Sequence, residues 1–256
     1  MNILLVDIGN TRVKWARMRG GRIGRGRALA HEGRPAAMAT LSRQLPRDVQ
    51  RVVAVSVAGR KLDVALAEAV RKRFGLRVEF ITSTRKAGGV VNGYRETWRL
   101  GADRWVAAIG AHAIAKTRPV LFAMAGTALT IDLVAGTGRH RGGAIIPGPP
   151  TMVTSLLSGT NGIRRRAGGL RAQQLAGKGR RLFADNTASA LAAGAQFAAA
   201  AFIDRAYAEA TQALGVRPLL LLSGGGAPIL KRHLRSSARV LPDLVLHGLA
   251  ALAQPR

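Results

Sequence analysis

The hydrophobic positions of this chain come in short β-like runs and longer helix-like stretches, an order written twice in 256 residues. Residues 2–7 and 11–17 are apolar-rich and predict two strands around a Gly9-Asn10-Thr11 turn. The glycine- and arginine-rich stretch 17–27 predicts a flexible hairpin tip. Helical apolar spacing follows at 35–44 and 61–74. Between those two, the short β-branched run 51–57 (RVVAVSV) predicts a buried strand, and 78–81 predicts a further one. Residues 86–93 read as a loop and the Ala-rich stretch 99–115 as a helix.

The second half repeats the theme with strands at 119–124, 129–134 and 141–146 and a helix over 150–157 that starts at its proline. A Gly/Arg-rich stretch, 159–181, predicts a mobile loop, and 186–214 a long Ala-rich helix interrupted near Gly194. A buried strand at 219–222 leads into Ser223-Gly224-Gly225-Gly226 and another helix. Each half therefore reads strand–strand–strand, then helix–strand–helix. That predicts an α/β protein of two lobes, 1–115 and 116–256, with a cleft between them and no linker composition at the join.

The repeat is sharpest in two short segments, 4–16 (LLVDIGNTRVKWA) and 121–134 (LFAMAGTALTIDLV). Each is a strand, a turn of glycine and hydroxyl residues, and a second strand. Such a turn can present backbone N–H groups and hydroxyls to phosphate oxygens, so the pair suggests a nucleotide gripped by two related lobes. Asp7, at the end of the first strand, can hold a hydrated magnesium ion, or Asp7 and Asn10 can simply cap their own turn. Lys14 can add a phosphate charge or face solvent. The residues alone leave these alternatives open, as they do for Gly126-Thr127 and for the glycines after Ser223.

Composition narrows the classes. The chain is 48% apolar but 4% aromatic, so Ala, Leu and Val must do most of the packing. With no cysteine there is no disulfide framework, thiolate metal site or cysteine nucleophile. The opening MNILLVDIGN has no basic segment before its apolar run, and no run reaches the roughly 18 residues that span a bilayer. A cytoplasmic protein without a membrane partner is expected.

The net charge of +27 comes mainly from arginine, clustered at 17–27, 164–166, 178–181 and 231–239. No aromatic interleaving and no helix-turn-helix or zinc-finger spacing accompanies these clusters, so a solvated basic surface is favoured over a nucleic-acid site. Attraction for a polyanion such as ATP follows either way.

The remaining chemistry sits at Asn92-Gly93-Tyr94 and Leu100-Gly101-Ala102-Asp103-Arg104-Trp105. An Asp–Arg pair opening a helix can supply a proton acceptor beside an anion-binding guanidinium, or merely an end-of-helix carboxylate with a surface arginine. The five histidines fall outside the glycine turns in sequence, and Ser56 has no evident histidine partner, which argues against a hydrolase triad.

Taken in order, DIGNTRVKW, NGY with LGADRW, AGTALTID, GGAIIPG, DNTASA, SGGGA and PDLVLHGL resemble the type III pantothenate kinases over essentially the whole chain. That family belongs to the acetate kinase/sugar kinase/Hsp70/actin superfamily. The resemblance implies two related ribonuclease H-like lobes in the actin-like ATPase fold, with a central nucleotide cleft. It also implies transfer of the ATP γ-phosphoryl group to the 4′-hydroxyl of pantothenate, the first step toward coenzyme A.

Carried over by position, Asp7, Ile8, Gly9, Asn10, Thr11, Arg12, Val13 and Lys14 form the first ATP loop, and Thr127 is the ATP-binding threonine of the second. Asp103 accepts the hydroxyl proton. Tyr94, Gly101, Ala102, Asp103 and Arg104 contact pantothenate, with Arg104 a candidate for its carboxylate. Thr187 is the contact lent by the partner of a homodimer, whose interface would involve the helix from Asn186. Asp7 would hold magnesium through water.

The family's second loop reads Asp-x-Gly-Thr-Ala, its acid binding potassium or ammonium. This chain has Met124 there, a poor ligand for a hard cation. Three outcomes are open: no cation requirement, replacement of the ion by a nearby Arg or Lys, or lost activity. Some members were described as Bvg accessory factors, so a DNA-associated regulator retaining the kinase fold is the alternative.

Overall fold

The computed structural model describes residues 1–169, 172–175, 179 and 181–254. The chain divides into two compact units.

The first unit opens with β1 (Asn2–Ile8) and β2 (Arg12–Arg19), an antiparallel pair whose register sets Asp7 opposite Lys14. β3 (Arg22–Ile23) and β4 (Arg27–Ala30) both pair with β2. The expected flexible tip at 17–27 is therefore ordered. Strands of two and four residues are too short to show a period in the sequence. Then come α1 (Ala36–Gln44), β5 (Arg51–Ser56), α2 (Arg60–Phe74) and β6 (Val78–Phe80). The expected loop at 86–93 is a small hairpin of β7 (Lys86–Ala87) and β8 (Val90–Val91). A 3-10 turn at Thr97–Arg99 precedes α3 (Ala102–Ala115).

The second unit holds β9 (Val120–Ala125), β10 (Ala128–Val134) and β11 (His140–Pro147), with the hairpin tip Val134–Gly142 grouped in the first unit. α4 (Pro149–Gly159), α5 (Asn161–Arg166) and α6 (Ala172–Leu175) follow. Part of the expected mobile stretch 159–181 is thus helical, while Lys178 and Arg180 of its basic cluster lie outside the described residues. α7 (Thr187–Leu214) is one helix of 28 residues, with no break at Gly194. A single glycine costs about 1 kcal/mol, and alanines on both sides easily carry the helix through it. Its N-cap Asn186 accepts from Ser189 N–H at 2.9 Å. β12 (Leu219–Ser223), α8 (Ala227–Lys231) and β13 (Arg239–Val240) complete the unit.

The two sheets share one plan. Their strand orders are β3-β2-β1-β5-β6, with β4 off this path, and β11-β10-β9-β12-β13. In the first, β1 and β2 form an antiparallel hairpin and β5 and β6 add in parallel; in the second, β12 joins β9 in parallel and β13 joins β12. The repeat seen at the turns therefore extends to whole sheets of ribonuclease H-like order.

A further helix was not foreseen. α9 (Leu244–Ala253) is apolar nearly all round and packs against α3, β1 and β5. It draws the chain from Asp243 onward into the first unit, whereas the sequence assigned everything after 115 to the second lobe. Among the described residues no helix is long and apolar enough to cross a membrane.

Candidate active site

Strand alternation decides which side chains of β1 meet chemistry. Leu4, Val6 and Ile8 enter the core with Met38 and Leu41 of α1 and Leu62, Leu66 and Val70 of α2. Asp7 therefore projects from the opposite face of the sheet, where α3 and α9 pack. Asp103 lies in the first turn of α3, and Asp243 is the N-cap of α9, in a left-handed conformation (φ 57°). Lys14 Nζ is 3.2 Å from Asp243 Oδ1.

Burial pushes the Asp7 carboxyl up from 3.8 to about 7; Lys14 pulls it down, and the charges of Asp103 and Asp243 add to the rise. Two carboxylates and one ammonium thus act on the buried Asp7 oxygens beside two helix N-termini, a setting that favours a cation-accompanied phosphate.

The turn after Asp7 is more self-contained than its sequence suggests, since Gly9 N–H donates to Arg12 O at 3.0 Å. Ile8 and Val13 are fully buried, so only their backbones can serve a ligand, while Asn10, Thr11 and Arg12 are exposed. Behind the turn lies His31, whose Nε2 is 2.7 Å from Gly9 O. Distant in sequence from every glycine turn, this histidine is nonetheless packed against the first.

The Asn92-Gly93-Tyr94 and Gly101–Arg104 segments come together in the same unit. Asn92 is buried and organises its surroundings: Nδ2 donates to Thr84 O and Thr97 O at 3.3 and 3.4 Å, and Oδ1 accepts from Tyr94 N–H at 3.0 Å. Arg104 Nη1 donates to Tyr94 Oη at 3.1 Å, and the Tyr94 ring stacks on His140 with centroids 6.0 Å apart. Arg104 is itself buried, which removes the surface-arginine alternative. A cavity of about 420 Å³ is lined by Arg85, Val91, Asn92, Gly93, Tyr94, Arg95 and Arg139.

Thr127, Met124 and Thr187 belong to the second unit. Gly126 N–H donates to Ala128 O at 3.0 Å, closing a turn one residue shorter than the first, and Thr127 O accepts from Gly148 N–H at 2.9 Å and Thr151 Oγ1 at 2.6 Å. The glycines after Ser223 approach backbone: Gly226 N–H donates to Ala125 O at 3.1 Å, and at Gly224 (φ +91°) a Cβ would fall 2.4 Å from that oxygen. They brace the end of β9. Met124 is half-buried and pairs in register with Ser223. Leu121, Ala123, Ala125, Leu129 and Ile131 face α7, so alternation puts Met124 and the fully buried Asp132 on the opposite face. Thr187 is half-buried in the first turn of α7.

Sequence reasoning missed Asp243, Asp132 and His31. Asp243 had a readable signal, an isolated acid just before an apolar helix in a very basic chain. His31 had none.

A family model for type III pantothenate kinases matches residues 3–209. The chain is 34% identical over 258 residues to a type III pantothenate kinase of Nitrosococcus oceani, covering 98% of this chain and 94% of that protein. To one of Stenotrophomonas maltophilia it is 39% identical over 260 residues, covering 100% and 99%. Among solved structures it resembles a ROK family glucokinase from Streptomyces griseus in complex with glucose and AMPPNP, with TM-score 0.57, 16% identity and 99% of both chains covered. That likeness carries the fold alone, which is the actin-like one of ATPases and sugar kinases.

Proposed function

The chain belongs to the type III pantothenate kinase family, and from that premise we propose that it transfers the γ-phosphoryl group of ATP to the 4′-hydroxyl of pantothenate. The observation that carries the reading is the convergence of Asp103, Lys14 and Asp243 on the buried Asp7. In this proposal Asp103 accepts the hydroxyl proton as the pantothenate oxygen bonds to the γ-phosphorus. The bond from that phosphorus to the β–γ bridging oxygen breaks, and ADP leaves. Residues 7–14 and Thr127 contact ATP; Tyr94, Gly101, Ala102, Arg104 and Thr187 contact pantothenate, Thr187 across a homodimer. The buried Arg104 holds the Tyr94 hydroxyl, while Arg85, Arg95 and Arg139 give an anionic carboxylate a positively charged seat. We place the enzyme in the cytoplasm.

Asp7 fits magnesium. Its ionisation is opposed by burial and by two neighbouring acids, so a divalent cation there relieves a real electrostatic cost. Among the described residues no group of three or more acids or histidines could hold a metal by itself, so phosphates and water would have to complete the shell of an ion at Asp7. When bound it would neutralise phosphate charge. Met124, with only a thioether to offer, does not fit a monovalent cation.

The test is ADP release measured with and without pantothenate. Release requires pantothenate and magnesium and falls by about 10²–10⁴-fold in Asp103→Asn. Normal turnover in that variant removes Asp103 from its role. Salt-dependent binding to duplex DNA without pantothenate turnover would replace the kinase reading with the regulatory one.

A further inference from the structure

β4 ends at Ala30, paired in register with Arg12, and this brings the next residue alongside the first ATP loop. His31 N–H donates to Thr11 O at 3.1 Å, and Glu32 N–H reaches the same oxygen at 3.4 Å. The chain then doubles back through two left-handed residues, Glu32 (φ 48°) and Gly33 (φ 76°). Glu32 pays a conformational penalty there, since a side chain rarely adopts that region. The turn delivers Gly33 N–H to His31 Nδ1 at 3.0 Å.

That contact fixes the tautomer. A backbone N–H can only donate, so Nδ1 accepts and the ring proton sits on Nε2. Nε2–H then donates to Gly9 O at 2.7 Å, and the ring is fully buried with both nitrogens engaged. In a planar trans peptide the carbonyl and the following N–H point in opposite directions. Holding Gly9 C=O against the ring therefore aims Asn10 N–H away from it.

We propose that His31 is a positioning residue of the first ATP loop: through Gly9 it fixes the orientation of the Asn10 amide so that this donor is ready for a phosphate oxygen. The strained Glu32–Gly33 turn sets the ring, and the ring sets the loop. The proposal rests on the reading of residues 7–14 as the ATP loop.

Two substitutions separate the ring's two bonds. In His31→Asn the side-chain oxygen stands near the Nδ1 position and keeps the Gly33 bond, but nothing reaches Gly9. In His31→Gln the amide reaches as far as Nε2 and can donate to Gly9, losing the Gly33 bond instead. KM for ATP rises by about tenfold in His31→Asn, the loss of one buried hydrogen bond, while KM for pantothenate stays at the wild-type value. His31→Gln restores KM for ATP. Hydrogen exchange of the nucleotide-free proteins gives faster exchange at Asn10 and Thr11 in His31→Asn than in wild type or His31→Gln.

Equal losses of thermal stability in both variants with unchanged KM for ATP reduce His31 to a structural residue and overturn the proposal. If the wild-type protein lacks pantothenate-dependent turnover, the kinase reading has failed, and the exchange comparison still decides the role of His31. Equal exchange in both variants refutes the positioning role, and selective acceleration in His31→Asn upholds it.

Discussion

Replacing Asp7 by asparagine raises the stability of the nucleotide-free protein above neutral pH even as it removes activity. The side chain is buried, and its carboxyl is carried from 3.8 to about 7 by that burial, with Lys14 opposing the rise and Asp103 and Asp243 adding to it. Such a displacement is ~4 kcal/mol of disfavoured ionisation, at about 1.36 kcal/mol per pH unit. Below pH 3.8 the folded and unfolded chains both hold the proton and the group contributes nothing. From there to about 7 the unfolded chain ionises while the folded one does not, so stability falls as pH rises. Above that range the full cost is present. Asparagine cannot ionise, so the variant lacks the slope and by pH 8 gains ~4 kcal/mol on the wild type relative to their difference in acid. Urea unfolding between pH 4 and 8 measures this, followed by tryptophan fluorescence. Trp15, Trp98 and Trp105 all lie in the first unit, two of them buried, so the probe reports the unit that holds Asp7. Parallel pH profiles for the two proteins refute the reasoning.

Two further outcomes follow from the packing and from the second turn. At the crossing of α3 and α9 a Cβ on Gly248 would lie 1.8 Å from Val106 O, so Gly248→Ala costs ~3 kcal/mol and lowers Tm by ~10 °C in differential scanning calorimetry; an unchanged Tm shows that the helices can separate freely. Turnover of the wild-type enzyme is the same in potassium and tetramethylammonium salts, and Met124→Asp makes the rate respond to potassium. Strong potassium dependence of the wild type, or an indifferent Met124→Asp, refutes the reading of Met124 as a lost ligand.

Much of the fold was legible because its signals are local. The run at 51–57 and the spacing at 61–74 sit in β5 and α2 with their core faces as expected, since each buries a continuous apolar face. The first turn was legible as a glycine turn between two strands, and Asp103 as an acid opening a helix. What stayed hidden depends on contacts distant in sequence. β4 is only four residues long and is defined by its pairing with β2, a partner distant from it in the local pattern. α9 joins the first unit because its apolar faces find α3 and β1, which no local pattern announces. The glycines after Ser223 were open to more than one reading from sequence, and their close approach to the backbone of Ala125 shows only in three dimensions. His31 offers nothing to a reader of motifs, because its role lies in the direction of a carbonyl.

The charge pattern, read globally, points the wrong way for the reaction. There are 40 Lys and Arg against 13 acids, so a surface carboxylate readily finds a cation. Asp48 pairs with Arg17, Glu79 with Arg51 and Glu32 with Arg34. At Asp7 the balance inverts: two other acids raise its carboxyl, and the ammonium that opposes them is Lys14, which is also paired with Asp243. A fold with cations to spare has kept a local acid excess on the α3/α9 face of β1. A nucleic-acid backbone would be repelled from such a spot, whereas triphosphate oxygens carrying a divalent cation bring the positive charge it lacks. The overall charge of +27 can gather polyanions from solution, and under the proposed kinase reading the acids around Asp7 would favour those that arrive with a metal ion.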